Sequence, residues 1–197
     1  MLRESAKSEK RSNACLARKS VGISPFSVPA DHKRAEWDLV DERLKQTLRG
    51  LCAGQLPWPL LLFGEPGSGK SCAGLCLVRS YNGWYSTVGD FCRTYLRVER
   101  REIETGSSMS YVTYSPTDFW NDWRNSSVTI LDEFGLRSPT EFQFETLQKA
   151  IDLREGLPFV AISNHDPDQL AAIYDDRYVS RLACGTIFQL DGDRRQL

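Results

Sequence analysis

The chain of 197 residues has no apolar run long enough to cross a bilayer. Its longest charge-free stretch, Gly50 to Gly64, is 15 residues long and is broken by Pro57 and Pro59. A spanning helix needs about 20 apolar residues. The first residues carry Arg3, Glu4, Lys7, Glu9, Lys10 and Arg11 with no apolar core between them, so no secretory leader is expected. Six cysteines in a chain of this length are too few for a disulfide scaffold, and no CxxC pair is present. Reduced thiols and a cytoplasmic location are the expectation. The net charge is only −1, which excludes a uniformly basic nucleic-acid binder but not a local basic patch. No internal repeat and no low-complexity tract is visible.

The charge that is there is unevenly spread. Residues 1–34 hold eight Lys/Arg against three Asp/Glu, a net of +5, which leaves −6 for the rest. Those residues also lack helical or strand periodicity. The reading is a basic flexible arm over 1–34 and a compact domain over 35–197.

Within that domain Trp37, Val40, Leu44, Leu48 and Leu51 recur at helical spacing, which predicts an amphipathic helix over 35–51. The run Leu60–Phe63 reads as a buried parallel strand. A helix from Lys70 to about Ser80 follows, then a strand over Trp84–Val88. Asp90 is placed to cap a helix from Phe91 to about Glu104. Thr105 to Ser115 reads as a loop, and Pro116 to Trp123 as a short helix. A third strand spans Val128–Leu131, followed by a helix over Thr140–Arg154 and a fourth strand over Phe159–Ser163. A helix over Asp168–Ala183 and a strand over Thr186–Leu190 close the pattern. Alternating strands and helices predict an α/β domain around a mostly parallel sheet of five strands.

Between the first strand and its helix stands Gly64-Glu65-Pro66-Gly67-Ser68-Gly69-Lys70-Ser71. It satisfies G-x-x-x-x-G-K-[ST] at every fixed position. Glycines let successive N–H groups turn inward toward phosphate oxygens, and the following helix points its N-terminus at the same anion. Lys70 supplies a charge for the β- and γ-phosphates, the Ser71 hydroxyl can ligate Mg²⁺, and Cys72 continues the loop into the helix. The third strand runs into Asp132-Glu133. Carboxylates at the C-terminal end of a parallel strand lie where open α/β sheets bind ligands. Asp132 is placed to hold Mg²⁺ with Ser71, and Glu133 to take a proton from the attacking water. The fourth strand ends in Asn164-His165, where Asn164 could orient that water. Arg177 and Arg181 fall on one helix face, free to pair with Asp175 and Asp176 or to serve a neighbouring subunit's nucleotide.

The order of these motifs resembles an AAA+ ATPase of the DnaC/IstB-like group, the helicase loaders and transposition helper ATPases related to DnaA. The specific segment is Asp176-Arg177-Tyr178-Val179-Ser180-Arg181-Leu182, similar to the family's box VII. The resemblance covers about residues 35–195. It implies a P-loop NTPase three-layer sandwich, ATP and Mg²⁺ as cofactors, Asn164 as sensor 1 and Arg181 as an arginine finger. Only 16 residues follow Arg181, which implies that the C-terminal lid is absent or vestigial and leaves Arg194 or Arg195 as the substitute for the sensor-2 arginine. It implies self-assembly in the ATP state, a helicase or transposase as partner, and no membrane.

Arg93, Arg97, Arg100 and Arg101 form a basic stripe on the helix after the second strand, in the region where the family holds single-stranded DNA. Tyr111 and Tyr114 could stack on bases there. Internal pairs with Glu99, Glu102 and Glu104 are the alternative. Phe119, Trp120 and Trp123 read as core, and Cys72 with Cys76 as helix packing without a metal. Two further functions stay open at this point: a small P-loop kinase of a metabolite, and a nucleotide-dependent switch with little hydrolysis.

Overall fold

The computed structural model describes residues 35–101, 104–105 and 112–192. Residues 1–34, and with them the arm, lie outside the described residues. Five strands form one sheet: β1 (Leu60–Phe63), β2 (Trp84–Thr87), β5 (Thr129–Phe134), β6 (Phe159–Ser163) and β7 (Thr186–Gln189). Their order is β2-β5-β6-β1-β7, and every neighbouring pair is parallel. Parallel strands buried on both faces need apolar residues at every position. Leu60, Leu61 and Leu62 of the interior strand β1 are all buried.

Two cores result, one on each face. Leu60 and Leu62 point to the side covered by α1 (Glu42–Cys52) and α2 (Lys70–Tyr81), with Leu44, Leu48, Leu75 and Leu77 packed on Tyr85, Ile130, Val160 and Ile162. Leu61 points to the other side. That side is covered by α3 (Val88–Glu99), α4 (Pro116–Asn125), α5 (Glu141–Asp152), α6 (Pro167–Ile173) and α7 (Asp176–Ala183). The expected three-layer α/β/α architecture is what the chain adopts. Phe119 and Trp123 are fully buried, and Trp84 meets both edge-on at 5.4 Å. These rings are core, as the sequence implies.

Four boundaries differ from the sequence reading, each for a local reason. The first helix begins at Glu42 because the Asp41 carboxylate accepts from the Arg43 and Leu44 amides, a strong N-cap. Residues Trp37–Leu39 form a separate 3₁₀ turn. The third helix begins at Val88, capped by the Thr87 hydroxyl and not by Asp90. It ends at Glu99, and Arg101 adopts φ +57°. Part of the expected loop pairs instead: β3 (Glu104–Thr105) is antiparallel to β4 (Val112–Thr113). The single helix expected over 168–183 is two. Asp175 breaks it by capping α7 through the Tyr178 amide, while buried Tyr174 accepts from the Gly135 amide at 3.3 Å.

Arg154 ties this scaffold together from inside. It is 1% exposed. Its Nη1 donates to the carbonyls of Trp123, Arg124 and Ser126 at 3.3, 2.9 and 2.9 Å, and its Nη2 to Pro158 O at 2.5 Å. One guanidinium thus fixes the end of α4 against the start of β6.

Candidate functional site

The loop between β1 and α2 takes the conformation its glycines permit. Gly64, Gly67 and Gly69 have φ of +141°, +85° and +98°. Gly64 has a second constraint: a Cβ there would stand 2.0 Å from the Leu190 carbonyl oxygen. Lys70 opens α2 and is 5% exposed. Its ammonium donates to Gly64 O at 2.8 Å, Glu65 O at 2.7 Å and Ser68 Oγ at 3.2 Å. Burial holds its pKa below the ordinary lysine value, and the charges of Asp132 and Glu65 oppose that shift. A buried cation, three left-handed glycines and the N-terminus of a twelve-residue helix meet at one point. That combination suits a phosphate group. Ser68 is buried, Glu65 and Pro66 are exposed, and Ser71 and Cys72 are half-buried.

Asp132 lies beside this loop. It is 5% exposed. Its Oδ1 accepts from the Glu133 amide at 2.7 Å, and its Oδ2 from the Tyr85 hydroxyl at 2.5 Å. The Ser71 side chain stands near the same phenol. A serine hydroxyl and a carboxylate form a hard oxygen donor set, which fits Mg²⁺. Burial and the Asp132 charge push the Tyr85 ionisation far above its ordinary value, so the phenol is a neutral donor.

The third strand runs further than its apolar residues indicate, to Phe134. Its pairing with β6 passes from Leu131↔Ala161 to Phe134↔Ser163. Asp132 and Glu133 together therefore oppose Ile162, a bulge that turns side chains at the strand end. Glu133 pays for this with φ +66°, a region L-residues avoid. It is exposed. Asn164 is also exposed and is the first residue past β6. Since β6 lies between β1 and β5, Asn164 shares the sheet edge that carries the loop and the carboxylates. The turn is held by Ser163, whose Oγ donates to Phe134 O at 2.8 Å and accepts from the His165 amide at 2.9 Å.

Arg181 is exposed. It lies on the exposed side of α7 and pairs with Asp152 at the end of α5, rather than with Asp175 or Asp176. Arg177 is exposed on the same helix. Arg194 and Arg195 lie outside the described residues.

The basic stripe is shorter than the sequence suggests. Arg93 and Arg97 are exposed on α3, whereas Arg100 caps the helix and Arg101 lies beyond it. Arg93 pairs with Asp90 at 2.9 Å, not with a glutamate. Tyr111 and Glu102 lie outside the described residues. Tyr114 is half-buried and donates to Asp122 at 2.5 Å. A groove of about 860 Å³ runs between the start of α3 and the β5–α5 connection. Arg93 and Arg137 line it, with Glu133 at its wall and Tyr174 among its lining residues. Arg137 and Tyr85 are the two residues that sequence reasoning did not single out. Strand alternation was the available signal for Tyr85; nothing in the sequence marked Arg137.

No protein-family model matches the sequence, and no curated protein matches it. Solved structures do share the fold. The DnaC helicase loader aligns with a TM-score of 0.63 at 17% identity over 82% of this chain and 98% of that one. AMPPCP-bound DnaA from Aquifex aeolicus aligns with a TM-score of 0.58 at 20% identity, over 76% of this chain and 44% of that one. Replication initiator DnaA bound to AMPPCP and single-stranded DNA gives 0.62 at 20% identity, over 79% and 48%. The chain thus spans less than half the length of either DnaA structure. These likenesses show that the chain shares its fold with those proteins.

Proposed function

We propose that this chain is an ATP-binding, Mg²⁺-dependent AAA+ ATPase of the DnaC/IstB-like group, which works in the cytoplasm as a loader or helper on DNA replication or transposition complexes. The observation that carries the reading is the convergence of Lys70 and Ser71, at the N-terminus of α2, with Asp132 and Glu133 on the bulged end of β5. DnaA binds AMPPCP, an ATP analogue, in structures that share this fold.

Residues Gly64 to Cys72 bind the nucleotide, with backbone amides and the Lys70 ammonium on the phosphates. Ser71 and Asp132 hold Mg²⁺, which neutralises phosphate charge when bound. Glu133 accepts the proton of the attacking water, and Asn164 orients that water. Arg181 acts in trans: exposed on α7, it completes the site of a neighbouring copy in an ATP-dependent assembly. The groove beside Glu133 receives single-stranded DNA, with Arg93 and Arg137 on its phosphates and Arg97, Arg100 and Arg101 extending the basic surface. The partner is a replicative helicase or a transposase.

Complementation tests the reading. Arg181→Ala keeps a pocket but lacks the finger; Lys70→Ala lacks a pocket but keeps the finger. Each alone should be nearly inactive, and their mixture should recover ATPase activity. Specific activity of the wild type should also rise with protein concentration. Concentration-independent activity without complementation would favour a monomeric switch or a small kinase.

A further inference from the structure

A third side chain, that of Tyr85, bonds to Asp132 and stands beside Ser71. Its position follows from strand alternation. Tyr85 pairs in register with Ile130, and Ile130 and Asp132 point to the same face of β5. That face is covered by α2, whose first turn carries Ser71. Tyr85 starts two residues short of the Thr87–Asp132 pair, a gap of about 6.6 Å along a strand. The length of a tyrosine spans that gap, and its hydroxyl reaches Asp132.

A phenol has one hydrogen. Tyr85 gives it to Asp132 Oδ2 at 2.5 Å. The Ser71 side chain, in the first turn of the covering helix, stands near the same phenol, and with the Tyr85 hydrogen given to Asp132 a contact between the two can run only from the serine hydroxyl to the phenol oxygen. Two consequences follow for the donors. A Ser71 hydrogen turned toward Tyr85 would leave its lone pairs for a cation. The Asp132 carboxylate is held on both oxygens, by Tyr85 and by the Glu133 amide. Tyr85 itself is 5% exposed and its ring packs in the core with Ile130, so the arrangement is rigid.

We infer that Tyr85 is a positioning residue for the Mg²⁺–nucleotide site, which orients Ser71 and Asp132 together through one phenol. The inference rests on the assignment of those two residues to the metal.

The test is Tyr85→Phe, which keeps the ring and removes the hydroxyl. Nucleotide affinity is measured by calorimetry with ATP in EDTA and across a Mg²⁺ series. In EDTA the affinity should match the wild type within about twofold. The Mg²⁺ concentration for half-maximal enhancement should rise about 10–100-fold, the usual effect of removing a group that orients metal ligands. In a Ser71→Ala background the same change should have a smaller effect, because one of its two targets is gone. A Mg²⁺ dependence identical to that of the wild type in folded Tyr85→Phe overturns the inference. A wild type whose nucleotide affinity ignores Mg²⁺ overturns instead the metal assignment on which it rests. A measurement on the unmutated chain applies even if Tyr85→Phe does not fold. In 3-fluorotyrosine-labelled protein, a buried resonance should move when Mg²⁺ is added to the nucleotide-bound form. A spectrum unchanged by Mg²⁺ overturns the inference.

Discussion

The role proposed for Glu133 comes with a backbone cost, and two substitutions separate them. Glu133→Gln removes the proton acceptor but keeps a side chain at φ +66°. Loss of a positioned general base lowers turnover by about 10²–10⁴. At about 1.36 kcal/mol per decade, that is roughly 3–5 kcal/mol of transition-state stabilisation. ATP binding should be unchanged, because the metal and phosphate groups are elsewhere, and stability should be unchanged because the strain remains. Glu133→Gly should lose turnover as well, but with a different stability signature. The left-handed conformation costs an L-residue about 1–2 kcal/mol, and glycine gives back about 0.5–1 kcal/mol through the unfolded chain. The net is a gain of about 0–1.5 kcal/mol, or a melting temperature raised by up to about 5 °C for a domain of this size. The assays are steady-state ATPase rates, nucleotide titration and thermal unfolding of the three proteins side by side. Wild-type turnover in Glu133→Gln would move the base elsewhere. A melting temperature several degrees lower in Glu133→Gly would show that the bulge does not strain this residue.

Two further expectations follow from other parts of the molecule. Arg154→Met removes four hydrogen bonds, to the carbonyls of Trp123, Arg124, Ser126 and Pro158; Pro158 O keeps the Thr129 amide, and each of the other acceptors left without a partner costs about 1–3 kcal/mol. The urea midpoint should fall by an amount equivalent to at least about 3 kcal/mol with the slope unchanged, and a loss under about 1 kcal/mol would contradict the pillar role. Arg93→Ala with Arg137→Ala removes two groove cations. If they neutralise phosphates, the salt dependence of single-stranded DNA binding should flatten by about 0.7 for each phosphate no longer neutralised. An unchanged slope would place the strand elsewhere or nowhere on this chain.

Much of this was legible in the residues themselves. Leu60–Phe63 followed by the glycine-rich loop marks an interior strand and the turn into the next helix, because that motif needs a strand before it and a helix after. Asp132-Glu133 was legible as a strand end, but the bulge was not: Leu131↔Ala161 passing to Phe134↔Ser163 is a property of two strands in register, and one strand's sequence carries no trace of it. Helix starts were misread where two capping residues compete within a turn, as with Thr87 and Asp90. The break at Asp175 was hidden because residues on both sides of it keep a helical pattern. Tyr85 looked like any aromatic in a buried strand. Its role depends on register with Ile130 and on the approach of α2, and both are long-range. The pairing of Arg181 with Asp152 across 29 residues was out of reach for the same reason.

The central claim is that Lys70 sits in a working nucleotide site, and calorimetric titration of ATP with Mg²⁺ tests it most directly. The wild type should bind. Lys70→Ala should keep its unfolding transition and lose affinity by at least about a hundredfold, since charge-assisted hydrogen bonds contribute about 1.5–3 kcal/mol each and the proposed role sets the ammonium on two phosphates. Equal affinity in a folded Lys70→Ala protein would contradict the account.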